Sequence, residues 1–260
     1  TQRTYRGLIE SIRKEHGERS AAGLDRRAVK VIVDRKSATP AAAGNKLRMI
    51  RILMRFAVDG GWREDDPTIG IKPPKTRSGG FHTWTEEEIA TFEAHHPVGT
   101  RARLAFALLL WTAQRRGDVI LMGRQHIKGE ALTITQKKTG ATVQIPVHSE
   151  LRAAIDAFPN NHLTFLTTQF GEPFSPAGFG NYFREMRREA GLPDHCAAHG
   201  LRKAASRRLA EAGCTAHQIM AITGHKTLRE VTRYTEAADR RELAEAAMAK
   251  IGRGTSSGKP

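Results

Sequence analysis

Cysteine is scarce: Cys196 and Cys214 are the two thiols in 260 residues. So small a supply excludes a disulfide framework. With no signal-peptide pattern at the start, it points to a reducing, cytoplasmic setting. Long hydrophobic runs are missing as well. The longest apolar stretch, LAFALLLW at residues 104–111, falls far short of the roughly 20 residues that span a bilayer. No glycine-rich phosphate loop and no dinucleotide fingerprint occurs. Acidic residues are in deficit: 42 Lys plus Arg stand against 27 Asp plus Glu, a net charge of +15. The natural partner of such a chain is a polyanion, nucleic acid ahead of an anionic membrane surface. What is present, 39% hydrophobic and 27% charged residues, is the composition of a soluble globular protein of one or two domains. The chain does not start with Met, so further residues upstream of Thr1 are expected.

A break at residues 70–80, GIKPPKTRSGG, pairs two prolines with two terminal glycines and reads as a linker. Residues 1–80 carry 18 basic and 9 acidic side chains, so the shorter part is the more basic. Within it YRGLIESIRKEHG, DRRAVKVIVDRK and GNKLRMIRILMRFAVDGGW place apolar residues three and four apart, with Arg and Lys on the other faces. This pattern predicts a small helical bundle with a basic exterior. Beyond the linker, TEEE at residues 85–88 is a capping box, and RLAFALLLW is apolar all round, as a buried helix should be. ALTIT and TVQIPV flank KKTGA and predict a hairpin. From Ser175 onward nearly everything reads as helix, broken at AGLPDH, AGCT and TGHKT. The sum is a mainly α fold with a small antiparallel β-sheet. GRGTSSGKP at the end is expected to be a flexible tail.

His95 and His96, adjacent at a predicted helix end, are expected at the surface. Cys196-x-x-His199 and Cys214-x-x-His217 imitate a zinc site. The stretch between them reads as a helix, which holds the pairs roughly 20 Å apart, so no metal is expected on those four. There remain Arg115 in TAQRRGDV, Lys137 and Lys138 at the hairpin turn, and His199 and Arg202, three apart on one helix face. His225 follows a glycine in TGHKT, and Tyr234 comes nine residues later. Singly, each has an ordinary reading as a surface charge, cap or half-buried aromatic. The combination is the signal.

In that order, TAQRRGDV, KKTG, HGLR, GHKT and Tyr234 resemble the catalytic domain of the tyrosine recombinases, the phage integrase family, over residues 85–249. Helical residues 1–74 with the linker at 75–84 resemble that family's core-binding domain, and 250–260 is left as the tail. The resemblance implies that Arg115 and Arg202 grip the scissile phosphate, that His199 and His225 flank it, that Lys138 is the hairpin lysine and that Tyr234 is the nucleophile. Counting back from Pro146 favours Lys138 over Lys137, and the turn leaves both open. The family often has Gly where this chain has Ala113, and an acid where it has Gly200.

The chemistry is coherent on its own terms. Two guanidinium forks match the nonbridging oxygens of a phosphodiester that gains charge on attack. A phenol of pKa near 10 needs a base and a cationic neighbourhood, and His199 is the expected base. Lys138 would protonate the leaving 5′ oxygen, and His225 would hydrogen-bond the developing charge. A 3′-phosphotyrosine stores the phosphodiester energy, so no ATP, metal or other cofactor is expected. The expected partners are double-stranded DNA clamped between the two basic domains, a homo-tetramer on two duplexes during synapsis and accessory DNA-bending proteins, with no membrane. The amphipathic segment after Tyr234 would dock on a neighbouring protomer or pack on its own. Two rivals stand beside this reading. One is a helix-turn-helix regulator built on residues 207–234; the other is a type IB topoisomerase that religates within one duplex.

Overall fold

The computed structural model describes residues 2–75, 80–158 and 162–252. It divides into two compact units, Thr1–Ser78 and Gly79–Pro260. Four residues of the expected linker, 76–79, and most of the expected tail, 253–260, lie outside the described residues.

The first unit consists of α1 (Gln2–His16), α2 (Arg26–Asp34) and α3 (Pro40–Asp59). Asp25 caps α2 by accepting from the Ala28 amide at 2.7 Å, and Pro40 opens α3, where its missing N–H costs nothing. Val29, Ile32, Val33, Leu47, Ile50 and Met54 form the core, at about 1.5–3 kcal/mol for each fully buried side chain. Part of the basic charge is structural. Arg26 donates to the carbonyl of Ile69, Arg51 to that of Ile71, and Arg63 to those of Ala21, Ala22 and Leu24. Lys46 is buried on Glu15 at 2.7 Å.

In the second unit α4 (Glu86–His95) begins with the expected capping box. Thr85 Oγ1 accepts from the Glu88 amide at 3.2 Å, and Glu88 Oε2 accepts from the Thr85 amide at 2.8 Å. Then comes α5 (Arg101–Thr112), whose residues 104–110 are all buried, the packing expected of a helix apolar on every side. Aromatic rings close round it: Trp84 and Phe92 lie within 4.7–6.2 Å of each other and of both Phe106 and Phe183, centroid to centroid. His96 departs from expectation. It is buried, its Nε2 sits 2.9 Å from the Met186 carbonyl, and only His95 is exposed. Adjacent side chains point apart, so one of the pair turned inward.

A short α6 (Arg116–Val119) and a 3-10 turn lead into the antiparallel sheet β1 (Ile127–Lys128), β2 (Ala131–Thr135), β3 (Thr142–Pro146), in that order. The β2–β3 register runs from Ala131 opposite Pro146 to Thr135 opposite Thr142. Leu132, Ile134, Val143 and Ile145 therefore share the core face. Then follow α7 (Ser149–Asp156), α8 (Pro176–Glu189), α9 (Ala198–Glu211), α10 (Ala216–Thr223) and α11 (Arg229–Gly252). Of these, α9 packs against α5, α10 and α11. Among the described residues no helix is long and apolar enough to cross a membrane.

Candidate active site

The site grows from the end of α5. Thr112 is the last helical residue and Ala113 adopts the left-handed conformation, φ +53°, the single non-glycine with positive φ among the described residues. That conformation costs a residue with a Cβ roughly 1–2 kcal/mol. What it gains is direction: the Ala113 carbonyl accepts from Arg202 Nη1 at 2.7 Å. Arg115 follows at the N-cap of α6 and donates through Nη1 to Gln136 Oε1 at 2.8 Å.

Gln136 organises the rest. It is fully buried at the start of the hairpin turn. Its Oε1 accepts from Arg115 and from Thr139 Oγ1 (2.7 Å), and its Nε2 donates to Gln114 Oε1 and to the Thr223 carbonyl, both at 2.7 Å. All four hydrogen-bonding positions of the amide are thus used. Gln114 in turn donates to the carbonyls of Thr112 and Ile222. One pair of glutamines therefore joins the end of α5, the hairpin and the end of α10. Gly224 closes α10 at φ +67°, and a Cβ there would meet the Gln136 side chain, with Cδ at 2.8 Å. Both facts require glycine.

Next in the chain, His225 meets Arg202. Thr223 gives its one hydroxyl proton to the Ile219 carbonyl at 2.7 Å, so its oxygen accepts from His225 Nδ1–H at 2.8 Å. This fixes the neutral tautomer and leaves Nε2 bare to accept from Arg202 Nη2 at 3.0 Å. Burial, and then the charge of Arg202, push the imidazole down to about 4.

Arg202 itself is 3% exposed. Among the described residues neither it nor Arg115 makes an ion pair with a carboxylate. Burial, and then repulsion from Arg115, lower the guanidinium to about 10, opposed by Asp118, Tyr234 and Glu230. His199, one turn earlier on α9, stands at the exposed rim with its ring 4.7 Å from that of Phe81. It too is pushed down, by desolvation and then by Arg202, Arg115, Lys203 and Lys138. Lys138 is exposed on the turn, while the backbone of its neighbour Lys137 is tied to Asp118 Oδ1 at 2.9 Å.

Of the six residues picked out in the sequence, Arg115, Arg202 and His225 lie in one hydrogen-bonded cluster, and His199 and Lys138 lie in its field. Tyr234 stands apart. On α11 it is half-buried against the small apolar cluster of Ala210, Ile219 and Val231. Its hydroxyl accepts from Arg233 Nη2 at 2.8 Å, and that guanidinium also lies over its ring, 4.7 Å from the centroid. Among the described residues its hydroxyl makes no hydrogen bond to Arg202. Gln114, Gln136, Thr223 and Asp118 were missed in the sequence. The zinc-like pairs sit at opposite ends of α9, as expected of a helix between them.

The model of the Phage integrase family matches residues 84–241. The integrase of Escherichia phage HK022 is 26% identical over 203 residues, 72% of this chain and 56% of that protein. Tyrosine recombinase XerC of Erythrobacter litoralis is 24% identical over 210 residues, 75% of this chain and 68% of the other. The integrase of Mycobacterium phage L5 is 24% identical over 241 residues, 82% and 63%. The alignments thus span little more than half to about two thirds of these relatives. Among solved structures, a lambda integrase dimer bound to a COC′ core site superposes with a TM-score of 0.79 at 21% identity, covering 89% of this chain and 87% of the other. A lambda integrase tetramer bound to a Holliday junction gives 0.75 at 22%, covering 86% and 70%. The shared fold and the family match over more than half of the chain lead to one conclusion: this chain belongs to the phage integrase family.

Proposed function

We propose that this chain is a tyrosine-type site-specific DNA recombinase that cuts and rejoins strands through a 3′-phosphotyrosine on Tyr234. One observation carries the reading: a buried guanidinium, Arg202, beside a second, Arg115, with no carboxylate paired to either among the described residues. A buried cation without its counter-ion is costly. A phosphodiester supplies the missing charge, more strongly as the attack proceeds, so the two forks favour the transition state over the ground state.

In this scheme Tyr234 Oη bonds to phosphorus while the bond from phosphorus to the 5′ oxygen breaks. The phenolic proton passes to His199, a neutral imidazole in this cationic setting, and Lys138 protonates the departing 5′ oxygen. Lys138 is preferred to Lys137 because its charge reaches His199. His225 holds Arg202 in place, and once the phosphate competes for that guanidinium it turns to the developing charge with its proton moved from Nδ1 to Nε2. Attack by a second 5′ hydroxyl reverses the step, and neither ATP nor a metal takes part in the exchange.

The basic first unit, residues 1–74, would act as the core-binding clamp, joined at 75–84 to the catalytic part. Assembly as a homo-tetramer on two duplexes, helped by DNA-bending proteins, completes the reading, in the cytoplasm. Leu243 and Met248 on α11 are 70% and 66% exposed, which favours docking on a neighbouring protomer over self-packing. Two labelled duplexes bearing the flanks of the native locus test the proposal. Joined products that vanish in Arg115→Ala and Arg202→Ala are expected. Relaxation of supercoils without joining would indicate a religating topoisomerase, and binding with neither would indicate a regulator.

A further inference from the structure

Outside the cationic cluster, four metal-ligating side chains meet at the entry to α9. His82, Glu88, His195 and Cys196 each offer one atom, and these atoms all lie within 4.8 Å of one another. We propose that they bind a divalent transition-metal ion of the zinc class, as a clamp between the segment before α4 and the start of α9. Neither the recombinase reading nor the zinc-like pairs considered in the sequence lead to this donor set, and the proposal does not depend on the chemistry of Tyr234.

The donor types come first. One thiol, two imidazoles and one carboxylate are a zinc set, too soft for calcium or magnesium. The geometry follows. Both imidazoles turn Nε2 inward, His82 to Glu88 Oε2 at 2.7 Å and His195 to Glu88 Oε1 at 3.2 Å, with the two rings 4.3 Å apart. The Cys196 thiol, 1% exposed, faces the same carboxylate from within the cluster. Zinc bonds of about 2.0–2.3 Å put neighbouring ligand atoms roughly 3.3–3.8 Å apart, so closing on an ion takes movements of about an ångström. The imidazoles are free to make them, with 31% and 54% of their side chains exposed. Glu88 Oε2 remains held by the Thr85 amide, which leaves Oε1 to the ion and supplies an outer partner that orients the carboxylate.

Charge closes the argument. A divalent ion with one thiolate, one carboxylate and two neutral imidazoles is neutral overall, and binding releases the Cys196 proton to solvent. The same four groups without metal are held only by shared protons. The clamp would lie three residues before His199 and six before Arg202, and would fix the start of the helix that carries both.

The test uses the full chain, stripped with a chelator and titrated with Co(II), then with Zn(II). The expected result is one ion per chain after gel filtration, with a thiolate-to-cobalt charge-transfer band and tetrahedral ligand-field bands that Zn(II) bleaches and Mg(II) does not. Cys196→Ser should abolish the charge-transfer band and Cys214→Ser should leave it intact. His82→Ala and His195→Ala, at a half-buried and an exposed side chain, should each weaken binding by more than about tenfold. Absence of the band, a band that follows Cys214, or affinity unchanged in both histidine variants would overturn the proposal. Circular dichroism of Cys196→Ser separates lost ligation from lost folding, and the histidine variants decide the matter if that variant unfolds.

Discussion

Arg202 and His225 share one hydrogen bond, Nη2 donating to a bare Nε2 at 3.0 Å, and the imidazole must stay neutral to receive it. Protonating His225 breaks that bond and places a second charge beside a buried guanidinium. Its folded pKa, about 4, lies below the ordinary 6.5. The unfolded chain therefore takes up the proton first as pH falls. Stability should be flat above pH 6.5 and decline from there to about 4, with His199 adding to the same slope. Thermal unfolding across that range checks it: the wild type should lose stability more steeply than His225→Gln. Equal slopes would refute a His225 held neutral in the folded chain.

The missing counter-ion of Arg202 makes a second expectation. Sulfate or vanadate should raise the melting temperature, by the equivalent of about 2.7 kcal/mol at a hundred times its dissociation constant. Arg202→Lys, which keeps the charge but loses the fork, should abolish that response. It should also slow DNA cleavage by about 10²–10³-fold while duplex affinity, measured by fluorescence anisotropy, stays within about tenfold. A response to sulfate that survives the substitution would place the anion elsewhere.

Gln136→Leu removes the amide that joins Arg115, Gln114 and the Thr223 carbonyl. It leaves buried polar atoms unpaired, at about 1–3 kcal/mol. Chemical denaturation should show a loss of that size. Cleavage should fall further than stability accounts for, because Arg115 loses its support.

Much of this was legible in the sequence, for identifiable reasons. The capping box of α4, the buried α5 and the β2–β3 hairpin each carry a local signature, and the basic boxes carry charge. β1 spans two residues, too few to show a period. Gln114, Gln136 and Thr223 are neutral, follow no pattern and gain meaning only from what faces them; each merely stands one or two residues ahead of a residue that was recognised. His82 and Glu88 lie more than a hundred positions from His195 and Cys196, so only folding reveals that they meet.

Gly200, where an acid is common in the family, is explained by contact. A Cβ there would stand 2.7 Å from Trp84 Cδ1 and closer still to the His82 carbonyl, while Trp84 Nε1 donates to the Ala197 carbonyl at 3.0 Å. Gly200→Asp should therefore destabilise by about 3 kcal/mol through overpacking, measured by urea unfolding. A neutral outcome would mean that the segment before α4 does not press on α9 in solution.

The central claim is that Tyr234 becomes esterified to DNA. A nicked suicide duplex from the native locus, which on cleavage releases the short fragment bearing the freed 5′ hydroxyl, tests this most directly. The account predicts a covalent protein–DNA adduct whose phosphorylated peptide contains Tyr234, absent in Tyr234→Phe although that variant still binds the duplex. An adduct that persists in Tyr234→Phe, or one mapped to another residue, would contradict it.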